Sequence, residues 1–221
     1  MSDCIRMDNV VKLQEGRRVL ADVFLRVKQG ECLIISGPPG SGKSMLARLA
    51  AGLEKPSAGE VFVLGKPMHE MSEDAAAAFR NRHVGLLTRG IGFLNTLTML
   101  DNIAMPLLLR GETAAHARKK AKESLKAMGM LGAEKASPAQ LRPLERHKAA
   151  VARMLTAQPE VLLLDDFGAE LADTDELAGI LHALCRFESI TVVELTSAKK
   201  GLICGDRELT LGRGKIQEET T

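Results

Sequence analysis

The chain has 221 residues, 45% of them apolar and 26% charged, and a formal net charge of +2. That is the composition of an ordinary globular protein, long enough for one sizeable domain with room for a helical insert, and its near balance of charge favours no bulk attraction to nucleic acid. No uncharged run approaches the ~20 residues of a membrane-spanning helix, and residues 1–6 lack the apolar core of a signal peptide, so any membrane role is expected to be peripheral. Cys4, Cys32, Cys185 and Cys204 have no metal-ligand spacing and read as reduced thiols. With no Trp and no Tyr, large apolar contacts fall to aliphatic residues, Met and Phe.

Residues 5–13 and 19–27 alternate in polarity like half-buried strands around a turn at Glu15-Gly16-Arg17-Arg18. A strand over 31–36 runs straight into Gly37-Pro38-Pro39-Gly40-Ser41-Gly42-Lys43-Ser44, and a helical pattern opens at Met45. This is the G-x-x-x-x-G-K-[ST] phosphate-binding loop in its strand, loop, helix setting. Backbone N–H groups of residues 40–44 are expected to wrap phosphates, with Met45 opening the helix whose dipole favours the anion. Lys43 is expected on the β and γ phosphates and the Ser44 hydroxyl on magnesium. Pro38 and Pro39 give no N–H and act through loop shape.

Further on, 60–64 reads as a strand ended by Gly65-Lys66-Pro67, 72–82 as a helix, and 84–87 as a strand. Helices are expected over 99–109 and 113–128, with a break at Gly111, and over 143–157, with Pro143 in the first turn. The run Val161-Leu162-Leu163-Leu164 has the character of a strand buried on both faces, and it ends in Asp165-Asp166. A carboxylate there lies on the same sheet edge as the phosphate loop, which makes Asp165 a magnesium partner. Leu177, Ile180, Leu181 and Leu184 form one helix stripe, 190–195 a strand, and 208–211 and 215–217 two short closing strands. Strands alternating with helices predict an α/β core; the helix-only stretch 99–157 predicts a helical subdomain within one domain spanning 1–221.

Taken together, the 37–44 loop, the 51–60 segment Ala-Gly-Leu-Glu-Lys-Pro-Ser-Ala-Gly-Glu, the 100–108 segment with Asn102-Ile103-Ala104-Met105-Pro106, Ala152-Arg153-Met154-Leu155 and the 161–166 strand resemble the nucleotide-binding subunits of ABC transporters. The likeness is strongest to the lipoprotein-releasing and macrolide-export branch. It implies a P-loop NTPase fold of ABC type, with a RecA-like core, an antiparallel β N-terminal part and a helical subdomain. It also implies ATP and Mg2+ as cofactors and a membrane permease as partner. Two such subunits, identical or not, would close face to face over ATP on the inner face of the cell membrane, with no nucleic acid involved. By the same resemblance, the 90–94 segment receives a permease helix, although an internal helix contact fits its apolar residues equally well.

Several positions depart from that family's pattern. Its Leu-Ser-Gly-Gly-Gln/Glu signature is here Leu141-Arg142-Pro143-Leu144-Glu145, where Pro143 has no N–H and Leu144 adds bulk; Arg142 offers a charge to a phosphate or points to water. The family's catalytic glutamate falls on the shorter Asp166, its switch histidine on Ser197, its magnesium-side glutamine on Arg89 and its adenine-stacking aromatic near Leu13. These changes predict an ATPase with impaired hydrolysis, Lys43 and a weakened base Asp166 being its catalytic residues. The alternative is an ATP-binding regulatory or scaffold subunit without turnover.

Overall fold

The computed structural model describes residues 2–187, 190–198 and 201–218; Met1 and residues 219–221, at the ends of the expected domain, lie outside them. Strands β1 (Asp3–Gln14) and β2 (Arg17–Lys28) form a hairpin with Gln14 opposite Arg17. Its turn residues, Glu15 and Gly16, have φ values of 50° and 76°. Two successive left-handed residues give the turn whose twist matches that of the flanking strands. β4 (Ala58–Val63) pairs antiparallel with β1, and the chain then doubles back at Leu64 and Gly65. Lys66–Pro67 thereby becomes a short strand, β5, beside Val63, where the sequence reads only a terminator. This small sheet has the order β2-β1-β4-β5.

The second sheet has the order β10-β9-β3-β8-β7-β6. Its parallel strands are β3 (Cys32–Ser36), β6 (Val84–Thr88), β7 (Val161–Asp165), β8 (Thr191–Thr196) and β9 (Arg207–Gly212); β10 (Lys215–Glu218) turns back antiparallel on β9. Successive side chains on a strand point to opposite faces, and here both faces are buried. Leu33, Ile35, Leu163, Val193 and Leu195 share one core with the small sheet and with α1 (Lys43–Ala50). Cys32, Ile34, Leu162, Leu164 and Val192 share the other with the helices.

On that second face lie α3 (Met99–Leu109), α4 (Ala114–Ala127), α5 (Pro143–Ala157) and α6 (Asp175–Phe187). α4 buries Ala117, Ala121 and Leu125, one residue per turn, and small side chains there let α3 and α5 approach. Thr98 and Thr113 cap α3 and α4 by accepting from Asp101 N and His116 N. Helix α2 (Glu73–His83) is capped by Ser72 and leads directly into β6. No helix among the described residues is long and apolar enough to cross a membrane.

Candidate nucleotide site

The loop between β3 and α1 lies at the carboxyl edge of the parallel strands, where ligands gather in such sheets. α1 begins behind Gly42, at φ 108°, with no side-chain cap and no acidic residue in its first turn. Among the described residues, the amides of Gly40, Gly42, Lys43, Ser44 and Met45 meet no acceptor, and Ser41 N–H turns inward to Pro38 O at 3.2 Å. Unsatisfied donors at a helix N-terminus form a concave cradle for an anion. Two glycines are dictated by packing: a Cβ on Gly37 would lie 2.3 Å from Leu211 O, and one on Gly42 would lie 2.8 Å from Leu20 Cδ2.

Lys43 Nζ donates to Gly37 O at 2.8 Å and Pro38 O at 3.0 Å, so the lysine bridges its own loop and must swing outward to meet a phosphate. Burial lowers its pKa, while the charges of Asp166 and Asp165 act the other way. Pro38 therefore acts through its carbonyl, which receives both Lys43 and Ser41, and Pro39 lines the cleft above.

Ser44 Oγ donates to Asp165 Oδ1 at 2.9 Å. The aspartate closes β7, level with Thr88 of β6 and Leu195 of β8, and burial raises its pKa. Two hard oxygens at the cradle's rim suit magnesium, which usually takes one or two carboxylates and keeps its other positions for phosphate and water. No group of three or more His, Cys, Asp or Glu among the described residues forms an all-protein metal cage.

Asp166 is differently placed. Its φ of 47° is left-handed, its N–H donates to Leu195 O at 2.8 Å, and both of its carboxylate oxygens are taken by one residue. Ser197 N–H donates to Oδ1 at 2.6 Å and Ser197 Oγ to Oδ2 at 3.1 Å. The positions expected to carry the catalytic glutamate and the switch histidine thus form a closed pair. At the expected signature, Arg142 neither faces the cleft nor stands free: it pairs with Glu145 at 2.8 Å, its side chain 82% exposed. Glu145 also accepts from Arg142 N at 2.9 Å, so the α5 N-terminus carries its own carboxylate.

The cleft measures about 710 Å³. At its mouth stand Gln14 and Val19 rather than Leu13, which is 48% exposed and points away, as alternation along β1 requires. Arg48, Ala169 and Ala198 also line it and were not apparent from sequence; only Arg48, one helical turn beyond Ser44, carried a usable signal. In the 90–94 segment, Phe93 packs under Arg153 at 4.7 Å, and Arg153 donates to Gly92 O at 2.6 Å, an internal contact; Leu94 is 55% exposed.

Comparison with known proteins agrees with this geometry. A family profile described as ABC transporter matches residues 20–168. The ABC transporter ATP-binding protein YbbA of Escherichia coli K12 is 37% identical over 203 residues, covering 91% of this chain and 89% of that protein. The lipoprotein-releasing system ATP-binding protein LolD of Chromohalobacter salexigens is 34% identical, covering 91% and 86%. The dimeric ABC transporter cassette MJ0796 superposes with a TM-score of 0.86 at 27% identity, covering 98% of this chain and 99% of that one; a second MJ0796 dimer, bound to ADP and Pi, superposes equally well. The chain belongs to the ABC transporter family, as an ATP-binding subunit.

Proposed function

We propose that this subunit uses ATP chiefly to close a dimer against a membrane permease and hydrolyses it slowly. In this reading the 37–45 loop holds the phosphates, Lys43 swings to the β and γ phosphates, and Ser44 with Asp165 holds Mg2+, which neutralises phosphate charge when bound. The subunit works at the cytoplasmic face of the membrane, paired with a second copy or with another ABC subunit.

The observation that carries the slow-hydrolysis reading is the doubly bonded Asp166–Ser197 pair. A general base must reach its water with a free oxygen, and a misplacement of about 1 Å can cost roughly 10²-fold in rate. Asp166 has to break two charge-assisted bonds before it can act, and no imidazole stands at Ser197 to help. Across a dimer the other half of each site would come from α5, where Pro143 has no N–H and Glu145 covers the helix end. In a homodimer both sites carry both defects. With an intact partner each site still carries one of them.

Steady-state phosphate release from the purified subunit, alone and with its permease, tests this. Turnover far below the enzymes' typical ~10 s⁻¹ is expected, and the double substitution Asp166→Glu, Ser197→His restores little in a homodimer because the α5 terminus is unchanged. Turnover at the typical rate refutes the proposal.

A further inference from the structure

Arg89 stands where the family places a magnesium-side glutamine, and the structure gives it a definite backbone position and no side-chain partner among the described residues. It follows β6 directly, Thr88 is level with Asp165, and Arg89 N–H donates to Asp165 O at 3.1 Å, so its backbone is pinned beside the proposed magnesium aspartate. The side chain is exposed, lines the cleft with Lys43, Ser44, Arg48 and Asp166, and has no hydrogen bond, ion pair or ring contact among the described residues. Arg118, Arg142, Arg153 and Arg207 are engaged with Asp101, Glu145, Gly92 O and Glu31, while Arg17, Arg48 and Arg82 share Arg89's freedom; what sets Arg89 apart is its place in the cleft beside Asp165.

Charge around the cleft points the same way. Lys43, Arg48 and Arg89 line the cleft with one carboxylate, Asp166, which already receives two hydrogen bonds from Ser197, while Asp165 is bonded to Ser44. The cleft therefore carries an excess of positive charge before any cation enters. A guanidinium presents a planar fork of donors that matches two phosphate oxygens, which a glutamine amide cannot do and a lysine does only as a point charge.

We propose that Arg89 binds the terminal phosphates of the nucleotide directly, so that this subunit holds a nucleoside triphosphate without a divalent cation. The inference rests on the nucleotide-binding reading above and gives the position a binding role in place of a lost metal ligand. Nucleotide capture is then uncoupled from magnesium, whose pair, Ser44 and Asp165, stays available for any later chemistry.

The test is calorimetric titration of the full chain with ATP, once in excess magnesium and once in EDTA. The wild type is expected to bind in EDTA within about tenfold of its affinity in magnesium. A hydrogen bond to a charged group is worth about 10- to 100-fold in affinity; Arg89→Gln should therefore weaken binding in EDTA by that factor and binding in magnesium by less than about threefold. Arg89→Lys should fall between, and Arg48→Gln should weaken both conditions alike, since it alters only the local field. Wild-type binding that vanishes in EDTA while persisting in magnesium overturns this inference and leaves the nucleotide-binding reading standing. An equal effect of Arg89→Gln in both conditions, or one no larger than that of Arg48→Gln, also overturns it. Absence of binding in both conditions overturns the nucleotide-binding reading and this inference together.

Discussion

Two sides of one cleft are built from different material. The β3–α1 loop offers backbone amides, and those need only a few glycines and the right helix start. The opposite side, at the ends of β7 and β8, offers individual side chains, with Asp166 already bonded to Ser197; outside this cleft, the α5 terminus ties Arg142 to Glu145 in the same way. A site made of backbone survives many substitutions around it. A site made of side chains changes its chemistry with each one. In the proposed function, binding and hydrolysis part company along the line between the two.

The largest expected effect probes the loop side. Ligand at about 100 times its dissociation constant stabilises a fold by roughly 2.7 kcal/mol, and at about 2 to 4 °C per kcal/mol for this size magnesium-ATP should raise the melting temperature by roughly 5 to 10 °C. Lys43→Ala should abolish the shift in a thermal melt. A wild-type chain that showed no shift with saturating nucleotide would erase the contrast, because the loop side would then bind nothing.

A smaller effect probes the opposite side. If Asp166 is mainly a structural tie between β7 and the segment after β8, Asp166→Ala should lower unfolding free energy by about 1 to 2 kcal/mol in urea, and Ser197→Ala by about half of that. A carboxylate held free for catalysis would cost no stability when removed, or would even return some. An unchanged denaturation midpoint for Asp166→Ala would therefore return Asp166 to the role of base.

The smallest effect concerns Glu194, 3% exposed on β8, whose oxygens accept from Leu202 N at 2.8 Å and Ile203 N at 3.0 Å and so anchor the chain beyond Ser197. Burial raises its pKa, with the charges of Asp166 and Glu208 adding to the rise and the two backbone bonds opposing it. The folded state thus favours the protonated form. That contribution is fully present below the unfolded value of about 4.3 and is lost as pH rises through the folded value. Glu194→Gln should flatten this decline in a series of melts above pH 4. A variant curve parallel to the wild type at every pH would show that the buried carboxylate is not its source.

Much of this was legible in the sequence. The 37–44 motif, the apolar run ending in Asp165 and the Pro143 helix start are local patterns, and the chain folds at those places as local physics dictates. The two-faced core could be read from the continuous apolar run of residues 161–164. What escaped was whatever depends on which side chain meets which. The Asp166–Ser197 pair joins residues 31 apart in sequence, and nothing in either segment announces it. The resemblance puts the adenine position near Leu13, and the one-residue step along β1 that decides which side chain lines the cleft, Gln14, is a matter of strand register. The 66–67 strand was missed because Pro67 read as a terminator, whereas it occupies the last position of an edge strand, where its missing N–H costs nothing.

The phosphate loop takes its shape partly from elements far from it in sequence. Gly37 is packed against Leu211 O, Ser41 O accepts from Gly214 N at 3.2 Å, and Gly214 O accepts from Ala21 N at 2.8 Å. The cradle is thus clamped between β2, near the start of the chain, and the β9–β10 hairpin at its end. Without that hairpin the loop keeps its own bonds, Lys43 to Gly37 O and Pro38 O and Gly37 N–H to Thr196 O, but loses the clamp on its other side. Nucleotide affinity should therefore report on the hairpin's packing as well as on the motif itself.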